Sequence, residues 1–228
     1  DVLRLGVEDG RRTFTNTLKY ISITTSANFG NMISIALATP LLPFLPLAAK
    51  QILLNNFLSD LPSLAIASDN VDAHRVAQPQ RWSVRYIQKF MIVFGLISSV
   101  FDLLTFGMLL FVFRADEATF QTSWFMISLL TELAVVLVLR TSKPVFRSKP
   151  SRLLMWSTIA VATATFAIPF LGGPTSIFGF VPLSAPHIAA IVAILIGYIL
   201  ATEAAKAWYF RKENSTEVGS RRNPDLPE

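Results

Sequence analysis

Long apolar blocks alternate with short polar ones along this chain. Six blocks, at residues 17–38, 48–67, 87–113, 119–139, 153–171 and 187–210, each approach the ~20 mostly apolar residues that a helix needs to cross a hydrocarbon core. The third, "IQKFMIVFGLISSVFDLLTFGMLLFVF", and the sixth, "HIAAIVAILIGYILATEAAKAWYF", are the clearest. The second, "AAKQILLNNFLSDLPSLAIA", is the least apolar, because two amides, a hydroxyl, a carboxylate and a proline fall in its middle. The pattern predicts an all-α polytopic membrane protein with six transmembrane helices.

The segments between the blocks set the organisation. Residues 1–16 read as a polar lead-in, and "GRRTFTNTLKYI" carries helix periodicity from it into the first span. The lead-in has charges of both signs and no short apolar run, so it is no signal peptide; it reads as a cut through the middle of something larger. "TPLLPFLP" is a short outer turn whose prolines cannot continue a helix, which predicts a tight antiparallel hairpin of the first two spans. Residues 68–86 and the basic stretch 140–152, "RTSKPVFRSKPSR", read as cytoplasmic loops, and the tail 211–228 as disordered. The transmembrane domain is thus expected over 17–210.

Charge refines this picture. Only 15% of residues are charged, against about a quarter in an ordinary soluble domain. With the N-terminus in the cytoplasm, six spans place all but Lys50 and Arg114 of the 20 Lys and Arg residues on the cytoplasmic side. That asymmetry predicts that both termini are cytoplasmic. It also accounts for the net charge of +5 without nucleic acid, and makes anionic lipid headgroups the expected neighbours. Trp82, Trp124, Trp156, Trp208 and Tyr209 fall near the ends of the predicted spans, as an aromatic belt would. The absence of cysteine excludes disulfides and thiolate metal sites.

Polar residues inside the spans are the candidate chemistry, because they are expensive at bilayer depth. Asn28 and Asn31 share one face of the first span, three residues apart. Asn56, Ser59 and Asp60 share a face of the second, with Asn55 expected to point elsewhere. Pro62 is expected to disturb the preceding turn and free carbonyls near Asn56 to Leu58. Such a set offers oxygen donors without imidazole or thiolate, which favours Mg²⁺, Ca²⁺ or an alkali ion over zinc or copper. A single carboxylate among amides suits an ion that keeps part of its water, as Mg²⁺ does. The alternative for the Asn and Ser residues is interhelical hydrogen bonding.

Glu132, near the middle of the fourth span, either completes this site or pairs with a polar neighbour. Asp102 either binds an ion or, as the favoured reading, pairs structurally with Ser98, Ser99 or Thr105, and Glu203 reads as a partner of Lys206 one turn away. His74 and His187 have no ligand company. No phosphate-cradling glycine loop and no Ser–His–Asp arrangement is present, so the chain carries no catalytic residues and cannot hydrolyse ATP unaided.

In sequence order, "DVLRLGVEDGRRTFTNTLKYI", "TSANFGNM", "KQILLNNFLSDLP", "IASDNVD" with "PQRW", "FGLISSVFDLLTFG", "FQTSWF", "LRTSKPVFRSKPS" and "FGFVPL" resemble the C-terminal membrane part of P-type ATPases, most closely the bacterial magnesium-transporting type. The resemblance covers residues 1 to about 212. It implies that the six spans are helices five to ten of a pump, with Asn28 and Asn31 on the fifth-helix ion positions and Asn56, Ser59 and Asp60 on the sixth-helix ones. The position of Asn31 is a glutamate in calcium pumps, so its amide fits the magnesium subgroup. Glu132 departs from the neutral residue expected there in that subgroup.

The resemblance implies an ATP-driven Mg²⁺ pump of the bacterial inner membrane. Mg²⁺ is the transported ion, and it also accompanies ATP in domains that this sequence does not contain. Those partners are the phosphorylation, nucleotide-binding and actuator domains and the first four helices. Two alternatives are a self-standing six-helix cation channel or secondary transporter, for which no inverted repeat is visible, and a non-catalytic membrane assembly subunit.

Overall fold

The computed structural model describes residues 2–77 and 82–222. Seven α-helices follow in order, namely α1 (Val2–Ala38), α2 (Ala49–Ala65), α3 (Ala73–Ala77), α4 (Val84–Gly107), α5 (Glu117–Leu139), α6 (Arg152–Ala167) and α7 (Ala185–Arg222). A π turn, Met108–Val112, continues α4. No strand occurs among the described residues. Apart from the five-residue α3, each helix overlaps one predicted block, α1 and α7 running well beyond theirs, and four are long and apolar enough to cross a membrane. These are Val84–Val112, Glu117–Leu139, Arg152–Phe170 and Ala185–Arg211. The two helices that carry most of the polar candidates, α1 and α2, fall outside that set.

Local chemistry explains several helix starts. The Ser83 and Ser151 hydroxyls accept from the amides of Tyr86 and Leu154, capping α4 and α6. At α2 the Gln51 side chain reaches back to the Ala48 amide (3.0 Å) and donates to the Phe178 carbonyl (2.9 Å), which ties the start of α2 to the segment between α6 and α7.

α5 is the centre of the assembly. Its residues are buried almost all the way round, from Phe120 to Leu139, and it touches α1, α2, α4, α6 and α7. A helix that is apolar on every face is expected to be enclosed by others. α1 packs chiefly against α4 rather than α2, and α2 packs against α5 and α6. The tight hairpin expected of the first two spans is therefore open, because α5 and α4 supply the packing surfaces.

The α1–α4 crossing rests on two glycines. A Cβ on Gly30 would stand 2.9 Å from Ser98 Cβ and 3.0 Å from the Gly95 carbonyl, and one on Gly95 would stand 3.0 Å from the Ser26 carbonyl. Only glycine lets the two backbones come this close. The Ser99 hydroxyl donates to the Gly30 carbonyl across the same crossing (3.0 Å).

At the other end of α2, the segment that follows it is a polar keystone. Asp69 is buried and forms ion pairs with Lys19 of α1 (3.2 Å) and with Arg140 at the end of α5 (3.3 Å). It also accepts from the Ser151 amide, while Asn16 of α1 donates to the Ala67 and Asp69 carbonyls. Asp72 pairs with Lys143 and accepts from Thr141. Arg11 donates to the carbonyls of Val76 and Ala77, fastening α3 to α1. The loop 68–86 is thus folded back on its neighbours over most of its described length, with residues 78–81 outside the description.

Several expectations change. Trp124 is no belt residue, because it is 1% exposed and sits at the heart of α5. Tyr209 joins an aromatic cluster with Tyr86, Phe90 and Phe94, whereas Trp82, Trp156 and Trp208 are exposed. Pro62 does not break α2, which continues to Ala65, and the Ser59 hydroxyl donates to the Asn56 carbonyl (3.2 Å). The boundary expected at 211 falls inside α7, whose backbone stays helical through Arg222. The Arg, Lys and Glu residues that follow Phe210 are good helix formers and extend the register of α7. Residues 223–228 lie outside the described residues.

Candidate cation site on α1, α2 and α5

The polar face of α2 is not the one that the spacing suggested. Asn55 (3% exposed) and Ser59 (5% exposed) point inward, and Asn56 and Asp60 are exposed. The Asn55 amide nitrogen donates to Glu132 Oε2 of α5 at 3.2 Å. Ser59 and Asp60 of the same turn are near enough to act on that carboxylate. Glu132 therefore meets the polar turn of α2 across the α2–α5 seam. Of the two roles left open for it, the pairing with a polar neighbour, Asn55, is observed.

On α1 the two asparagines separate. Asn31 is half-buried and its Oδ1 accepts from the Ser128 hydroxyl of α5 at 3.4 Å, while Asn28 is exposed. Asn31 and Glu132 line a common cavity, about one water molecule in size, with Ser26, Ser98, Ser128 and Tyr198. The structure thus brings together Asn31, Ser59 and Glu132, adds Asn55 and Ser128, and leaves Asn28, Asn56 and Asp60 on open surface. That surface is otherwise apolar, with Met32, Leu53, Phe57, Leu61 and Leu64 exposed.

Every donor in the group is oxygen or amide. No cluster of three His, Cys, Asp or Glu side chains is present among the described residues, so the site is no carboxylate cage. One carboxylate with amides and hydroxyls leaves room for water on a hard cation.

Asp102, which is buried, and Glu203, which is half-buried, both have partners. Asp102 accepts from Ser34 (2.6 Å) and from the Trp124 indole (3.0 Å), not from Ser98, Ser99 or Thr105. Those three hydroxyls are near it in sequence, but Ser99 and Thr105 instead bond backbone carbonyls on their own or the facing helix. Glu203 pairs with Lys206 at 2.8 Å as expected, and Lys206 also donates to the Val138 and Lys143 carbonyls. His187 meets Ser184 and stacks on Phe113. Sequence reasoning set Asn55 aside as pointing elsewhere, and gave Asp69 and Arg140 no site or structural role. Asp69 carried a signal, an acid directly after an apolar span with two helices bearing basic residues nearby.

Residues 44–208 match the family described as "Cation transporting ATPase, C-terminus". The chain belongs to this family. It is 41% identical over 216 residues to the magnesium-transporting ATPase, P-type 1, of Escherichia coli K12, and 39% identical to that of Salmonella typhimurium strain 14028s. Both alignments cover 92% of this chain and 24% of the relative. A putative cation-transporting ATPase of Methanocaldococcus jannaschii is 27% identical over 172 residues, covering 72% of this chain and 21% of its own length. The chain spans about a quarter of the length of the curated relatives it matches.

Proposed function

We propose that the chain is the transport-domain portion of an ATP-driven Mg²⁺ pump in a bacterial inner membrane, with six spans and both ends cytoplasmic. The ion is held by Asn28 and Asn31 of α1, Asn56, Ser59 and Asp60 of α2, and Glu132 of α5. The observation that carries this reading is the meeting of Glu132 with the polar turn of α2 in the interior of the helix bundle. A carboxylate there is costly unless it has a task. The bacterial relatives are magnesium-transporting ATPases, which suggests the ion, and the amide at Asn31 fits it.

In hydrocarbon, the exposed Asn28, Asn56 and Asp60 need partners. The first four helices of the pump cover them and close the site. The phosphorylation, nucleotide-binding and actuator domains supply ATP hydrolysis, with Mg²⁺ as the companion of ATP. Phosphorylation displaces α1 through its cytoplasmic part. The displacement reaches α2 through Asn16, Lys19 and the 66–72 segment, since α1 and α2 touch little along their length. Helices α4 to α7 serve mainly as support, and the remaining surface faces lipid. The site then opens to alternate sides.

The test is Mg²⁺ uptake into proteoliposomes by the complete pump, with ATP hydrolysis measured in parallel. ATP-dependent uptake is expected. Hydrolysis that moves another cation and leaves Mg²⁺ outside contradicts the reading.

A further inference from the structure

Asn55 is the inward-facing amide of α2, and its hydrogen bonding is incomplete. Its nitrogen is engaged by Glu132, but its Oδ1 is buried with no hydrogen-bond partner. A buried acceptor left without a donor is costly, and such an atom calls for a partner, an ion among them. Three facts locate the missing partner. Asn55 is 3% exposed and Ser59, one turn further along α2, is 5% exposed, so both share the inward face. Glu132 accepts from Asn55 and lies near Ser59. Across the seam, Asn31 and Ser128 of the adjoining cavity add an amide and a hydroxyl.

We propose that Asn55 is itself a cation ligand, its Oδ1 completing with Ser59 and Glu132 an oxygen set on the α2–α5 seam. This rests on the reading of the chain as part of a cation pump and adds a residue to its site. An amide oxygen, a hydroxyl and a carboxylate give three hard donors with a single charge. Mg²⁺ tolerates such a set because it keeps several of its six ligands as water. The Asn55 amide hydrogen occupies one Glu132 oxygen and so helps to hold the carboxylate in place.

The experiment compares Asn55→Leu and Asn55→Asp in the complete pump, reconstituted in proteoliposomes. Two readouts are taken: the Mg²⁺ concentration for half-maximal uptake, and inhibition of uptake by Ca²⁺. Leucine removes the oxygen donor, and the half-maximal concentration is expected to rise by about tenfold or more. Aspartate keeps an oxygen at this position and loses the hydrogen given to Glu132. It is expected to stay within about threefold of wild type and to make Ca²⁺ a stronger inhibitor, since a second carboxylate favours that ion. If Asn55 only positions Glu132 through its N–H, aspartate is as damaging as leucine, and that result overturns the proposal. Equal uptake by Asn55→Leu and wild type also overturns it. Thermal unfolding of each variant in detergent separates lost binding from lost folding, and Asn55→Asp carries the test if the leucine variant does not fold. Failure of the wild-type pump to take up Mg²⁺ rejects the underlying function instead.

Discussion

The indole N–H of Trp124 donates to the carboxylate of Asp102 at 3.0 Å, and both side chains are almost wholly buried. The second oxygen of Asp102 takes the Ser34 hydroxyl, so one acid joins α1, α4 and α5. Hydrogen bonds to a charged group are worth about 1.5–3 kcal/mol each, and their loss strands a buried donor. Asp102→Ala is therefore expected to lower stability by about 3–5 kcal/mol, on the scale of other broken buried networks. Asp102→Asn keeps an acceptor for Trp124 and should lose far less. Thermal unfolding of the purified pump in detergent, followed by Trp fluorescence, checks the order.

The Gly30–Gly95 crossing makes a second, steric prediction. Alanine at Gly95 meets the Ser26 carbonyl at 3.0 Å, and alanine at Gly30 meets the Gly95 carbonyl at 3.0 Å. Backbone atoms cannot step aside as a side chain does, so each change is expected to cost about 1–3 kcal/mol by overpacking. Gly107→Ala is the contrast. Nothing lies within 4 Å of its added Cβ, and the change should be neutral or stabilising by up to about 1 kcal/mol. Unfolding midpoints of the three variants decide it.

Asp69 faces two cations, Lys19 and Arg140, in a buried setting. Asp69→Asn leaves both without a counter-charge and should destabilise by about 3–5 kcal/mol, whereas Arg140→Met leaves the Lys19–Asp69 pair and should cost less. Because the pairs are shielded from solvent, the wild-type contribution should change little between low and high ionic strength. Unfolding measured at two salt concentrations tests both points.

Much of the helical layout was legible in the sequence, because hydropathy over 20 residues is a strong signal and short polar turns punctuate it. The Glu203–Lys206 pair was legible for the same reason that any one-turn pair is. The inward face of α2 was not. Its apolar residues lie on both sides of the helix, so Leu53, Phe57 and Leu64 can face outward while Asn55 and Ser59 face in. In a membrane-type bundle hydrophobicity does not say which side is buried, and the choice falls to partners such as Glu132. Trp124 misled because its sequence position near a span end suggested an interfacial role, while its depth in the bundle depends on α5 being enclosed on every side. The partners of Asp102, on helices 68 and 22 residues away, leave no local trace in the sequence.

The most direct test of the account is Mg²⁺ uptake by the complete pump carrying Asp60→Asn, at wild-type expression. Asp60 is the exposed carboxylate of the α2 polar turn, close to Glu132 in charge and open to the rest of the site. The account predicts that uptake is abolished while the protein still accumulates in the membrane. Uptake at the wild-type rate would contradict the assignment of the ion site to α1, α2 and α5.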